Sequence, residues 1–339
     1  MPTELQTFNH PAFKVVLFSS SDIATPVLQS LAAAKVLAGV VTNEDKPQGR
    51  KLKVTPNPLA ATAAALQDKE KASWPIIKTD SLKEEPISKV LAELKADFFL
   101  TFAYGAYMPK KLLAMPKVAA VNLHPSALPK YRGASPIQAA ILAGETDTSL
   151  SLIQMIPRMD AGPIYAQLPL SIQANDSGAD LTATVAQLAG EKILELLTAV
   201  AGGLEPWPQE EAQASFCTKL YPEDGAIDWQ QPAQDIHNQV RGLQPLVDSY
   251  AILEGHRYKI FTTRLFIQPP TQGLKPGALV LLTQPKRKVL VVCGAEKPEF
   301  LELVEVQSAK GKRVPAWDWA QNLPKDSAFE SAFKGEERK

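Results

Sequence analysis

Nearly unbroken apolar runs alternating with helix-compatible stretches constrain the fold of this chain more than any other property. Phe98–Phe102 and Val118–Leu123 are such runs, and Phe13–Phe18 and Val36–Thr42 precede them. A strand that is apolar on both faces must be covered on both, which is the condition inside a parallel sheet flanked by helices. Between the runs lie Ile23–Ala34, with Asp22 placed as a cap, a long polar loop over Asn43–Pro58, and the helix-forming Leu59–Gln67 and Ser88–Leu94; a short strand is expected at Pro75–Ile77. The order strand, helix, strand, helix predicts an α/β fold with a doubly wound, mostly parallel sheet.

The pattern continues through a helix at Pro136–Ala143, strands at Leu150–Met155 and Ile164–Leu170, and a long helix at Asp180–Leu204. Then Gly202–Gln213, rich in Pro, Gly and acid, reads as a linker. Beyond it, short β-like runs at Tyr250–Leu253, Tyr258–Phe266, Ala278–Leu282, Val289–Cys293 and Phe300–Val306, with one helix near Pro232–Gly242, predict a small OB-like β-barrel. The expected division is a first domain over 1–204, a linker over 205–215, a second domain over 216–325 and a tail over 326–339.

Lys+Arg and Asp+Glu number 36 each, so no global field draws in a polyanion and any nucleic-acid contact must come from local clustering. The two cysteines, Cys217 and Cys293, form no CxxC, and the four histidines are scattered, so neither a disulfide framework nor a metal site is expected. The N-terminal stretch lacks a basic segment followed by a long apolar one, and nowhere do about eighteen apolar residues run together, so the expectation is a cytoplasmic protein with no membrane partner.

Chemistry concentrates at Asn122, His124 and Asp160. In a strand, residues i and i+2 point to one face, so Asn122 and His124 project together, just before Pro125 and a loop punctuated by Pro and Gly. An amide and an imidazole can donate to a developing oxyanion, the imidazole can carry a proton near neutral pH, and a carboxylate can orient the ring. Transfer of a formyl group to a primary amine needs these functions and no covalent intermediate, and the chain has no GxSxG elbow and no activated cysteine. Taken singly, each of the three residue types is commoner as a turn cap or a hydrogen-bonded filler.

The stretches NLHPSALPKYRGASPIQ, GETDTSLSLIQM and MDAGPI resemble the formyltransferase family that uses 10-formyltetrahydrofolate. DKPQGRKLK, AYGAYMPK and KLYPEDGAIDW extend the resemblance over nearly the whole chain, toward members whose acceptor is initiator Met-tRNA. The resemblance implies a Rossmann-like catalytic domain, Asn122 and His124 at the formyl oxygen, Asp160 supporting proton transfer, and 10-formyltetrahydrofolate as donor substrate. It further implies that Ser126, Ala127, Leu128 and Pro129 form the folate loop, and that Phe102, Ala103, Tyr104 and Gly105 line the pterin pocket with backbone groups. The chain departs from the family at Ser19-Ser20-Ser21, where a Gly-Thr-Pro-type turn is usual, and at Leu243-Gln244-Pro245-Leu246, where Asn-Pro-Trp-Pro is usual.

Two basic elements suit a nucleic-acid partner. Arg50, Lys51 and Lys53 share a loop, and the resemblance places Arg50 where the acceptor end of the tRNA is inspected. From Gly255 through Ala295 no acid occurs while Arg257, Lys259, Arg264, Lys275, Lys286, Arg287 and Lys288 do, and Arg257 and Lys259 would share one side of a strand. The leading expectation is a monomeric formyltransferase acting on initiator Met-tRNA. Two rivals stay open: an enzyme acting on a nucleotide-sugar amine, which leaves the basic barrel unexplained, and a catalytically silent RNA-binding or folate-sensing protein. A nicotinamide-dependent dehydrogenase fails at Ser19-Ser20-Ser21-Asp22, which is no GxGxxG.

Overall fold

A computed structural model describes residues 13–48, 53–55, 57–267, 273–308, 311–324 and 326–330. In chain order the elements are β1 (Val15–Phe18), α1 (Thr25–Ala33), β2 (Leu37–Thr42), β3 (Lys46–Gln48), β4 (Lys53–Thr55), α2 (Pro58–Glu70), β5 (Ile76–Lys78), α3 (Glu85–Glu93), β6 (Phe98–Phe102), α4 (Lys110–Leu113), β7 (Ala119–His124), β8 (Arg132–Gly133) and α5 (Pro136–Leu142). They continue as β9 (Asp147–Gln154), β10 (Ile164–Ser171), α6 (Gly178–Ala201), β11 (Phe216–Cys217), α7 (Ala233–Gly242), β12 (Ser249–Leu253), β13 (His256–Phe266), β14 (Leu279–Leu282), β15 (Lys288–Cys293), β16 (Glu299–Ser308), β17 (Val314–Pro315) and α8 (Ala316–Ala320). Contacts divide the chain into two compact units: 1–136, 148–170 and 182–217 in the first, 137–147, 171–181 and 218–339 in the second.

The first unit is built on a sheet in the order β10-β9-β7-β6-β1-β2-β5. β1 pairs in parallel with both β2 and β6, and β6 with β7, which is why these strands are apolar on both faces: Val16, Phe18, Phe99 and Ala120 share one buried cluster with Leu91 of α3 and Leu112 of α4. β9 runs antiparallel to β7. The strand order reverses about β1, and a crevice for ligands opens at such a switch point beyond the carboxyl ends of the strands. There the backbone N–H and the hydroxyl of Ser20 both donate to the Ala103 carbonyl, at 3.2 and 3.1 Å, tying the turn after β1 to the turn after β6.

Three local expectations change. The cap before the first helix is Ser21, whose side chain accepts from the Ile23 N–H; Asp22 begins a short 3-10 turn, and α1 starts with Pro26 in its first turn, where a missing N–H is harmless. The polar stretch after β2 carries an antiparallel pair, β3 with β4, because Lys46, Pro47 and Gln48 register against Thr55, Val54 and Lys53. The Pro-rich stretch after α6 runs along the first unit: Trp207 and Ile164 exchange both backbone hydrogen bonds, at 2.8 and 2.9 Å, and β11 pairs in parallel with β8.

In the second unit the antiparallel order is β12-β13-β16-β15-β14, with β17 beside β16. Bridges Ile252 to Glu330 and Ala278 to Ala328 join both margins of this sheet to residues 328–330, at the start of the stretch read as a tail, and so close a small barrel. Its core holds Trp229, Ile236, Val291 and Leu301, with the Trp229 ring stacked on Phe329 at 5.2 Å between centroids. At the departing Leu243–Leu246 stretch the Gln244 amide donates to Phe261 O at 2.6 Å and Val240 O at 3.1 Å, fastening the end of α7 to β13.

Candidate active site

Asn122, His124 and Asp160 converge. β7 presents the first two on one face, and the loop between β9 and β10 returns so that Asp160 Oδ1 accepts from Asn122 Nδ2 at 3.3 Å and lies 3.7 Å from His124 Nδ1. The second carboxylate oxygen accepts the Gly133 N–H at 2.9 Å. Asp160 occupies the left-handed region at φ +50°, and Gly162 is required just beyond because a Cβ there would lie 1.7 Å from the Gln154 carbonyl.

Each of the other two side chains is oriented by a partner. Thr101 on β6, registered opposite Asn122, donates its hydroxyl to Asn122 Oδ1 at 2.7 Å, so the amide nitrogen faces Asp160. His124, only 3% exposed, has Nε2 2.9 Å from the Tyr131 carbonyl. A carbonyl only accepts, so Nε2 carries the hydrogen and Nδ1 is the nitrogen turned toward Asp160. Burial pulls the His124 pKa below its ordinary value, against the opposing pull of the Asp160 charge and the Tyr131 hydrogen bond.

A layer that motif reading missed lies behind these three. Arg132 is fully buried and directs its guanidinium at Gln209 Oε1, at 3.0 and 2.8 Å, and at both oxygens of Glu211, at 3.2 and 2.9 Å. Gln209 Nε2 then donates to the Asp160 and Gly162 carbonyls, each at 2.7 Å. Arg158 also binds Glu211, and the two arginines hold its carboxyl down to about 2. The available signal was polarity out of place: Thr101 interrupts the apolar run of β6 as Asn122 interrupts that of β7.

The residues tied by resemblance to the folate lie at and just beyond the ends of the paired strands β6 and β7, in differing states. Ser126 is fully buried, with its hydroxyl committed to Lys130 O at 2.6 Å, and Leu128 packs with Ile153 and Ile164. Much of the loop backbone is committed as well: the Ser126 carbonyl accepts from Ser151, the Leu128 carbonyl from Gln167, and the Pro129 carbonyl from the Ser215 N–H. Phe102 is core, Ala103 takes φ +49°, and a Cβ on Gly105 would meet open space. The Tyr104 hydroxyl is buried without a hydrogen-bond partner among the described residues, and burial with the nearby Asp80 charge pushes its pKa up to about 12.

Of the basic residues, Arg50 and Lys51 lie outside the described residues, and Lys53 is described only as part of the β4 backbone. Arg257 is exposed with its guanidinium 3.4 Å from the Tyr250 ring centroid, whereas Lys259 is ion-paired with Asp248 and Lys288 with Glu302. The acid-free stretch thus borrows acids from elsewhere in the chain. Among the described residues no group of His, Cys, Asp and Glu could hold a metal ion, and no helix is long and apolar enough to cross a membrane.

Residues 13–197 match the formyl transferase family and residues 219–324 its C-terminal domain. A methionyl-tRNA formyltransferase of Staphylococcus epidermidis is 33% identical over 311 residues, which cover 91% of this chain and 96% of that protein. Among solved structures, an N-formyltransferase from Helicobacter canadensis, in complex with folinic acid and dTDP-3-aminofucose, superposes with TM-score 0.60 at 17% identity, covering 86% of this chain and 99% of its own. Methionyl-tRNA formyltransferase from Clostridium thermocellum gives 0.52 at 14%, covering 83% of this chain and all of its own. Matched across both domains and along most of the length of its curated relatives, the chain belongs to the formyl transferase family.

Proposed function

We propose that the protein transfers the formyl group of 10-formyltetrahydrofolate to the α-amino group of methionine on initiator Met-tRNA, in the cytoplasm and as a monomer. The observation that carries this reading is the Asn122, His124 and Asp160 cluster, within a chain that spans nearly the full length of relatives named for that acceptor.

The bond from the formyl carbon to N10 breaks as a bond to the amine nitrogen forms. His124 Nδ1 takes the proton that the amine loses and returns it to the departing N10, and the imidazolium that exists between the two transfers faces Asp160 3.7 Å away. Asn122 Nδ2, its amide oriented by Thr101, donates to the oxygen of the formyl group as negative charge develops there. The donor supplies an activated formyl group, and the backbone of 102–105 and 126–129 holds it. Arg50, Lys51, Lys53, Arg257 and Lys259 supply contacts to tRNA phosphates.

The test is formyl incorporation from 10-formyltetrahydrofolate into charged initiator tRNA, charged elongator Met-tRNA and a nucleotide-sugar amine, over a range of salt. Preferred, salt-sensitive transfer to the initiator is expected. Transfer to the sugar amine alone, or folate binding with no transfer to any acceptor, would overturn the proposal.

A further inference from the structure

Asp160 is gripped twice by one dipeptide. The Gly133 N–H binds its carboxylate at 2.9 Å, and the Arg132 guanidinium reaches its main chain through Gln209. The Gln209 amide has a single satisfactory orientation. Its oxygen receives two N–H groups from a fully buried guanidinium and its nitrogen meets two carbonyls, so a flipped amide would set donor against donor and acceptor against acceptor. Those carbonyls belong to Asp160 and Gly162, on either side of a turn in which Asp160 sits at φ +50°, a conformation that persists in a non-glycine residue only when its surroundings enforce it. The other edge of Arg132 is forked onto Glu211.

We infer that Gln209, aimed by Arg132, is a positioning residue for formyl transfer: it clamps the 160–162 turn so that the Asp160 carboxylate stays against Asn122 and His124. The inference rests on the reading of Asp160 as part of the reacting cluster, and makes the stretch around 205–215 a component of the site. No proton passes through Gln209; its effect is on where Asp160 stands.

The experiment is a double-variant cycle of wild type, Gln209→Leu, Asp160→Asn and the pair, in steady-state kinetics with 10-formyltetrahydrofolate and charged initiator tRNA. Gln209→Leu is expected to lower kcat about tenfold with KM for both substrates within about twofold. In the Asp160→Asn background the same change should cost less than about twofold, because the group it positions is already disabled. An equal loss in both backgrounds, or a loss in KM alone, overturns the inference while leaving the trio intact. If Gln209→Leu folds poorly, Glu211→Gln, which loosens Arg132 from an exposed position, is run through the same cycle and judged by the same outcomes. Asp160→Asn as fast as wild type would instead overturn the reading of the trio, and the inference with it.

Discussion

The Thr101 hydroxyl donates to Asn122 Oδ1 at 2.7 Å, so a neighbouring strand, and not the loop, decides which end of the Asn122 amide meets a reacting group. Thr101→Val keeps the shape and the strand and removes this bond, together with the longer contacts of the same hydroxyl to Val121 O and Met155 Sδ, both at 3.3 Å. Formyl transfer should fall about tenfold in kcat, the equivalent of one neutral hydrogen bond felt in the transition state, with folate affinity little changed. Steady-state kinetics beside a folate-binding titration checks this, and unchanged kcat would show that the amide is oriented by other means.

Because burial lowers the His124 pKa, its base form persists below the ordinary value of 6.5, and the acid limb of kcat should lie on the acid side of that value. Asp160 opposes the shift, so Asp160→Asn should move the limb to still lower pH while reducing kcat. A pH–rate profile of each protein reads both effects. A limb that moves upward in the variant would contradict the sign.

Gly133 combines φ +123° with a site where a Cβ would come within 2.1 Å of the Cys217 carbonyl. Gly133→Ala must therefore separate β8 from β11 and disturb the N–H bound to Asp160. A loss of about 3 kcal/mol or more in urea unfolding is expected, with activity lost alongside.

Glu211 is a carboxylate held down to about 2 from an ordinary 4.5, first by the Arg132 hydrogen bond and then by that of Arg158. A depressed carboxylate stabilises the folded state fully above the unfolded value and loses that contribution as pH falls through the folded one. The melting-temperature gap between wild type and Glu211→Gln should therefore be full above pH 4.5 and close toward pH 2. Thermal melts across that window measure it, and a gap independent of pH would exclude the ion pairs as its source.

Arg257 lies exposed over Tyr250, with no carboxylate partner among the described residues, whereas Lys259 is paired with Asp248. Arg257→Ala should weaken tRNA binding and reduce the salt slope of the binding constant by about one, if it meets a phosphate. Lys259→Ala, which also releases Asp248, should have a smaller effect. Filter binding at several salt concentrations separates the two.

Much of the fold was legible because burial writes itself into strand composition. β1, β6 and β7 are apolar on both faces since each is covered on both, and the termini shifted by only a residue or two. Asn122 and His124 were recognisable as a pair because strand periodicity is local. Side-chain partners were not legible: the Asp22 cap gave way to Ser21, and the Asn43–Pro58 loop to a hairpin, since both turn on which polar atom a backbone N–H happens to reach.

The sequence by itself determined the strand and helix order, the candidate reacting groups and the family, because these depend on residue type and short-range spacing. Only the tertiary structure decided that Asp160 meets Asn122 and His124, that burial lowers the histidine's pKa, and that Arg132 and Gln209 stand behind the turn. Proximity between residues far apart in the chain is set by how the sheet and its loops close, and the His124 charge state by the water that closure excludes.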